Sequence, residues 1–172
     1  MTTVRLPRAM SVFTAVRMPL DTTSRMLAPF LDCLTADELD ALPYGVIQLN
    51  DDGIVLSYNR AEAENVGGIP RPIGRHFFRD VCPSANASEL WTRFRQAVAD
   101  RQFDDTFHYT FSCGPAPRRT QVRMYYSVRT GSVWLFVAKP DGTPLDRVVV
   151  SEVKRIVPTL SDGVDLRTPR VA

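Results

Sequence analysis

The sequence predicts an α+β fold: a five-stranded antiparallel sheet with helices gathered on one face and an N-terminal helical lid on the other. Three observations carry this. Two β-type runs, Tyr44 to Leu49 and Ile54 to Tyr58, flank the turn Asn50-Asp51-Asp52-Gly53. After an irregular middle and one amphipathic helix, three further runs follow one another between Thr106 and Ala138. The last of them, Ser132 to Ala138, is apolar on both faces, so its sheet must be covered twice.

The patterned region is 24–139. It follows a tail of no clear period over 1–23, expected to be mobile, and precedes a partly helical extension over 140–172. Met26, Leu27, Phe30, Leu31 and Leu34 share a helical face, which Pro29 keeps short or starts late. Thr35-Ala36-Asp37-Glu38 is a capping box, with Leu34 and Leu39 placed as its hydrophobic staple, and Pro43 ends that second helix. The Asn-Asp-Asp-Gly turn holds residues that tolerate positive φ, so the first two strands form a hairpin. Between Asn59 and Ala87, Gly67-Gly68, Pro70, Pro72, Gly74 and Pro83 break the chain into short pieces. Ser88 is placed to cap a longer helix with Leu90, Trp91, Phe94, Ala97 and Val98 on one face. Alternation then puts Phe107, Tyr109, Phe111 and Cys113 together on the third strand, and Val122, Met124, Tyr126 and Val128 together on the fourth. On the fifth, Trp134 and Phe136 face outward and need the segment Met26 to Leu42 as a lid.

Composition narrows the function classes. The 172 residues suit one domain, and 44% hydrophobic with 23% charged is ordinary for a globular protein. A net charge of +2, with arginines scattered rather than clustered, gives no nucleic-acid face. No apolar run approaches a membrane span, and the basic N-terminus lacks the apolar stretch of a signal peptide. The cysteines Cys33, Cys82 and Cys113 are odd in number and widely spaced, which fits neither a disulfide framework nor a zinc site; a cytoplasmic location and no metal are expected.

Gly45-Val46-Ile47-Gln48-Leu49, Tyr58-Asn59, the run Ile73 to Val81 containing Phe77-Phe78, Phe107 to Phe111, and Trp134-Leu135-Phe136-Val137 resemble the photoactive yellow protein family of PAS-fold bacterial blue-light receptors. The likeness runs from Leu39 to Val137 with a gap near Ile69 to Pro72. It implies a PAS fold and a p-coumaroyl chromophore held by thioester to a cysteine, its phenolate bonded by a tyrosine and a glutamic acid. By position these are Tyr58 and Glu62, whose i, i+4 spacing puts both polar tips on one side. The anchor position is Ser84, and a cysteine stands instead at Cys82, where the family usually has alanine. The supporting threonine is Val66, the arginine gate falls at Gly68 or in the gap, a lining tyrosine is Cys113, and a loop methionine is Pro115. Ile47, Phe77, Val81 and Phe111 complete the implied lining.

These residues support a non-enzymatic sensor that holds a small aromatic or phenolic ligand and signals through the lid or tail to a separate output protein. Three alternatives stand beside it. The chain is a true photoreceptor with its chromophore on Cys82; or an enzyme using Cys82, or Tyr58 with Glu62, on an aromatic thioester-type substrate; or an interaction domain without ligand. Each residue also has a plainer reading. Tyr58 and Glu62 would be a surface helix start, Cys82 a small buried hydrophobe, Cys33 a helix-packing residue, and Arg118-Arg119 a solvated turn. His76 and His108 offer only weak haem ligation, because His108 faces away from the expected site. Leu145, Val148, Val149, Val153, Ile156 and Val157 have helical spacing, read equally as a homodimer contact or a helix folded back.

Overall fold

The structure, a computed structural model, describes residues 32–67, 70–114, 116–138 and 145. It is the expected PAS architecture. Helix α1 (Ala36–Asp40) precedes strands β1 (Gly45–Asn50) and β2 (Val55–Tyr58), then helix α2 (Arg60–Asn65). A π-turn (Phe77–Val81) and a 3₁₀ turn (Pro83–Ala85) lead to helix α3 (Glu89–Asp100) and strands β3 (Asp104–Phe111), β4 (Arg118–Ser127) and β5 (Ser132–Val137). The order across the sheet is β2-β1-β5-β4-β3, with every pairing antiparallel.

Local chemistry explains most of these elements. The Thr35 hydroxyl accepts the Glu38 N–H, while the Glu38 carboxylate accepts the Thr35 N–H at 2.7 Å, so the capping box is closed both ways. At the hairpin turn Asn50 Oδ1 accepts from Asp52 and Ile54 N–H, and Gly53 supplies a φ of +81°.

Alternation along the strands sorts the core into two clusters. On the inner face Ile47, Leu49, Val122, Met124, Tyr126, Val133, Leu135 and Val137 pack against Phe77, Phe78, Leu90, Phe94 and Ala97. On the outer face Val46, Trp134 and Phe136 pack against Leu39, Leu42, Tyr44 and Leu145, with Leu34 beside them. Burying large side chains of this kind is worth roughly 1.5–3 kcal/mol each, so the outer cluster stabilises the fold and is more than a cover. The lid is thus present over Leu34 to Leu42, while its expected start from Met26 to Leu31 lies outside the described residues. So do the tail over 1–23 and the extension beyond Ala138, apart from Leu145.

Four expectations change. Ser88 begins α3 but does not cap it with its side chain; its hydroxyl donates to Ala85 O at 2.6 Å and accepts from Tyr109 Oη. Cys33 is exposed in a turn, because the helix starts only at Ala36. β3 ends at Phe111, which puts Cys113 in a loop, and β4 ends at Ser127, which leaves Val128 73% exposed. Arg118 is part of β4 and largely buried, rather than in a solvated turn. Among the described residues no helix is long and apolar enough to cross a membrane.

Candidate functional site

The site is built where β2 hands over to α2. Asn59 sits between them, 2% exposed, and uses its whole amide. Its Oδ1 accepts from Val46 N–H at 2.9 Å and Glu62 N–H at 3.1 Å, and its Nδ2 donates to Leu39 O and Tyr44 O at 2.9 Å each. One side chain therefore caps α2, ties it to β1 and holds the outer lid.

Glu62 on α2 is 2% exposed. Its Oε1 accepts from Arg118 Nη2 at 3.2 Å and its Oε2 from Asn65 Nδ2 at 3.0 Å. The carboxyl lies so close to β1 that a Cβ on Gly45 would stand 2.0 Å from Oε2; glycine is required there by close approach. Burial pushes the Glu62 carboxyl above its ordinary value of 4.5, against the opposing pull of Arg118 and Asn65. Burial also pushes the Tyr58 phenol far above its usual value, and the Glu62 charge adds to that shift.

Two thiols adjoin this pair. Cys82, closing the π-turn, is 0% exposed, and its N–H donates to Phe77 O at 2.7 Å. The influence of Cys113, then that of Ser84, whose hydroxyl is 3.5 Å from the sulfur, pulls the Cys82 thiol below the ordinary range against the cost of burial. The influence of Cys82, with burial, pushes the Cys113 thiol up. Tyr58 responds to Glu62, Cys113, Arg118 and Cys82, so the five groups form one electrostatic cluster.

No family model matches the chain. Among proteins of known identity, it is 36% identical over 103 residues to a photoactive yellow protein of Rhodothalassium salexigens, covering 59% of this chain and 82% of that one. It is 35% identical over 107 residues to one from Halochromatium salexigens, covering 62% and 86%. The chain belongs to the photoactive yellow protein family. Among solved structures, the photoactive yellow protein domain of the sensor histidine kinase Ppr from Rhodospirillum centenum superposes with a TM-score of 0.60 at 38% identity, over 64% of this chain and 98% of that one.

Most positions singled out by the likeness to photoactive yellow protein converge. Ile47 pairs with Tyr58 across β1 and β2. Phe77 and Phe111 are buried in the inner cluster, with Val81 and Cys113 packed against it. Val66 ends α2, its Cα 3.9 Å from where a Cβ on Gly114 would stand, so it abuts the loop of Cys113. Ser84 departs from the rest: it is exposed, with its hydroxyl 3.5 Å from Cys82 Sγ. Gly68 and Pro115 lie outside the described residues. His108 is exposed and His76 meets Phe78 edge-on, and among the described residues no three His, Cys, Asp or Glu side chains could hold a metal.

Arg118 is the residue that sequence reasoning missed. It is opposite Phe111 in the β3–β4 register, with its guanidinium 5.8 Å from that ring. The signal was available, since Arg118 shares strand parity with the inward residues Val122, Met124 and Tyr126.

Proposed function

We propose that this member of the photoactive yellow protein family is a sensory module that holds a small aromatic, phenol-bearing ligand beside Tyr58 and Glu62. The observation that carries this reading is the burial of Glu62 next to Tyr58. Burial raises the pKa of each and so favours their O–H forms, and two such donors suit one phenolate oxygen. Arg118 adds a positive charge that favours the ionised ligand over the neutral one. A separate output protein would read the state of the site, as the link between such a domain and a histidine kinase in the relative from Rhodospirillum centenum supports by analogy.

A second reading makes Cys82 the covalent anchor of a p-coumaroyl group and the chain a photoreceptor. Its support is that Cys82 is fully buried within the same electrostatic cluster, whereas Ser84 is exposed. An ionised thiol is also a far better acyl acceptor than an unactivated hydroxyl.

The two readings part in one experiment. The protein and its Cys82→Ala variant are incubated with p-coumaric acid and with its activated thioester, and visible absorption is recorded before and after denaturation. A red-shifted band in both proteins, lost on unfolding, supports the non-covalent ligand. A band only in the wild type, with the chromophore still attached to the chain after denaturation, supports the anchor. No band in any sample sinks both readings.

A further inference from the structure

The phenol-binding reading treats Arg118 as a fixed positive charge beside Tyr58 and Glu62, but the geometry gives it a larger part. Its side chain is 15% exposed, and among the described residues its guanidinium makes one hydrogen bond, from Nη2 to Glu62 Oε1 at 3.2 Å, the long end of the normal range. A planar fork of five donors thus has most of its capacity uncommitted, with the Phe111 ring 5.8 Å away. Glu62 does not depend on that contact alone, because Asn65 Nδ2 bonds its other oxygen at 3.0 Å. The strands bring Tyr58 to the same side. A Cβ on Gly45 would meet Glu62, Ile47 two residues on shares that face of β1, and Tyr58 is the cross-strand partner of Ile47.

We propose that Arg118 is an exchangeable counter-charge: an oxyanion ligand takes the guanidinium from Glu62, and Glu62 takes up one proton as the ligand binds. The inference rests on the phenol-binding reading and goes beyond it, since it fixes which form of the ligand is held and what the site gains with it. With Glu62 only 2% exposed, two anions beside one guanidinium are too costly, so one of them is neutralised. A carboxyl is ordinarily a stronger acid than a phenol, so the available donors decide which one. The ligand oxygen would collect Arg118, the Tyr58 O–H and the new Glu62 O–H, whereas an ionised Glu62 beside it would keep only Asn65. Burial of Glu62 acts in the same direction. The proton comes from solvent when a phenolate enters, and from the ligand's own hydroxyl when the neutral phenol enters. The site gains no net charge in either case.

The groups that face Glu62 are Arg118, Asn65, Tyr58, Cys82 and Cys113, and the Cys82 thiol, held below its ordinary range, needs its own control. The probe is 4-nitrophenol, whose yellow band reports the phenolate, titrated into the full chain at several pH values above the probe's own pKa. The bound probe should be yellow, and its Kd should rise about tenfold per pH unit, because each binding event consumes one proton. Cys82→Ala should keep that slope. In Glu62→Gln, which donates its amide without titrating, Kd should stay flat over the same range. Arg118→Gln should lose the yellow bound form, and circular dichroism checks the fold of each variant. A flat Kd in the wild type overturns this inference alone, since Glu62 then carries its proton before binding. A slope that disappears in Cys82→Ala overturns it too. No binding of 4-nitrophenol or of p-coumaric acid by the wild type fails the phenol-binding reading itself, and this inference with it.

Discussion

Two buried arginine–carboxylate pairs, one on each face of the sheet, are built differently. On the outer face Arg123 meets Asp104 through two parallel bonds, Nε to Oδ1 at 2.8 Å and Nη2 to Oδ2 at 2.9 Å. On the inner face Arg118 reaches Glu62 through a single contact of 3.2 Å, and the carboxyl still sits above its ordinary pKa. The first geometry matches a planar fork to a planar carboxylate and fixes β3 on β4. The second leaves the charge on Glu62 unsettled between proton and arginine. One pair is a clasp; the other is a site that can answer to a ligand.

The comparison breaks most directly by truncating each arginine. Arg123→Ala should cost about 3 kcal/mol, because Asp104 loses a buried bidentate partner, while Arg118→Ala should cost about 1 kcal/mol, because Glu62 can take up a proton instead. Urea unfolding at pH 7 measures both, and equal losses would show that the faces do not differ in this way. Asn59 belongs to both faces, so Asn59→Ala should cost roughly 2–3 kcal/mol by orphaning the backbone groups its amide serves. A loss within the scatter of surface variants would remove its role as the tie between lid and site.

Gly45→Ala sharpens the contrast, since it touches the inner pair alone. Its methyl would collide with the Glu62 carboxyl, so a destabilisation of about 1–2 kcal/mol is expected. In the double variant with Glu62→Ala the penalty should largely vanish; if it persists, the clash lies elsewhere.

The smallest effect is a slope. The folded chain keeps the Glu62 proton at pH values where the unfolded chain has released it, so the raised pKa stabilises the fold fully below 4.5. That contribution is lost as pH rises through the folded value. Arg118, Asn65, Tyr58, Cys82 and Cys113 face this carboxyl and set where the loss is complete. Urea midpoints taken from pH 4 upward should therefore fall in the wild type relative to Glu62→Gln. Parallel profiles would mean that Glu62 ionises over the same pH range in the folded and the unfolded chain.

Much of this contrast is legible in the amino-acid sequence. Alternation in β5 places Trp134 and Phe136 outward, Thr35 and Glu38 announce their helix, and the i, i+4 step joins Tyr58 to Glu62. Arg118 is hidden by its neighbour, because an arginine doublet after Pro117 looks like a solvated turn unless strand parity is counted back from Val122. That Cys82 and Cys113 both adjoin the inner cluster cannot be counted at all. The π-turn inserts an extra residue, which rotates everything after Phe77 away from the 3.6-residue period, and Cys113 lies past the end of its strand, where alternation no longer applies. Ser88 fails for a related reason: a hydroxyl at a helix start has competing partners, and here Ala85 O and Tyr109 win.

The pairing of β1 with β5 at the centre of the sheet has a consequence in time. The hairpin β1–β2 and the meander β3–β4–β5 each form through short connections, but the seam from Gly45↔Val137 to Asn50↔Ser132 joins strands separated by nearly the whole domain. Closing so long a loop is entropically slow, so the seam should be the late step of folding, as in other chains rich in distant contacts. Tyr58 and Glu62 arrive with the first unit, Arg118 and Cys113 with the second. The electrostatic cluster therefore cannot exist in either half alone, and its assembly marks the moment at which the chain becomes one domain.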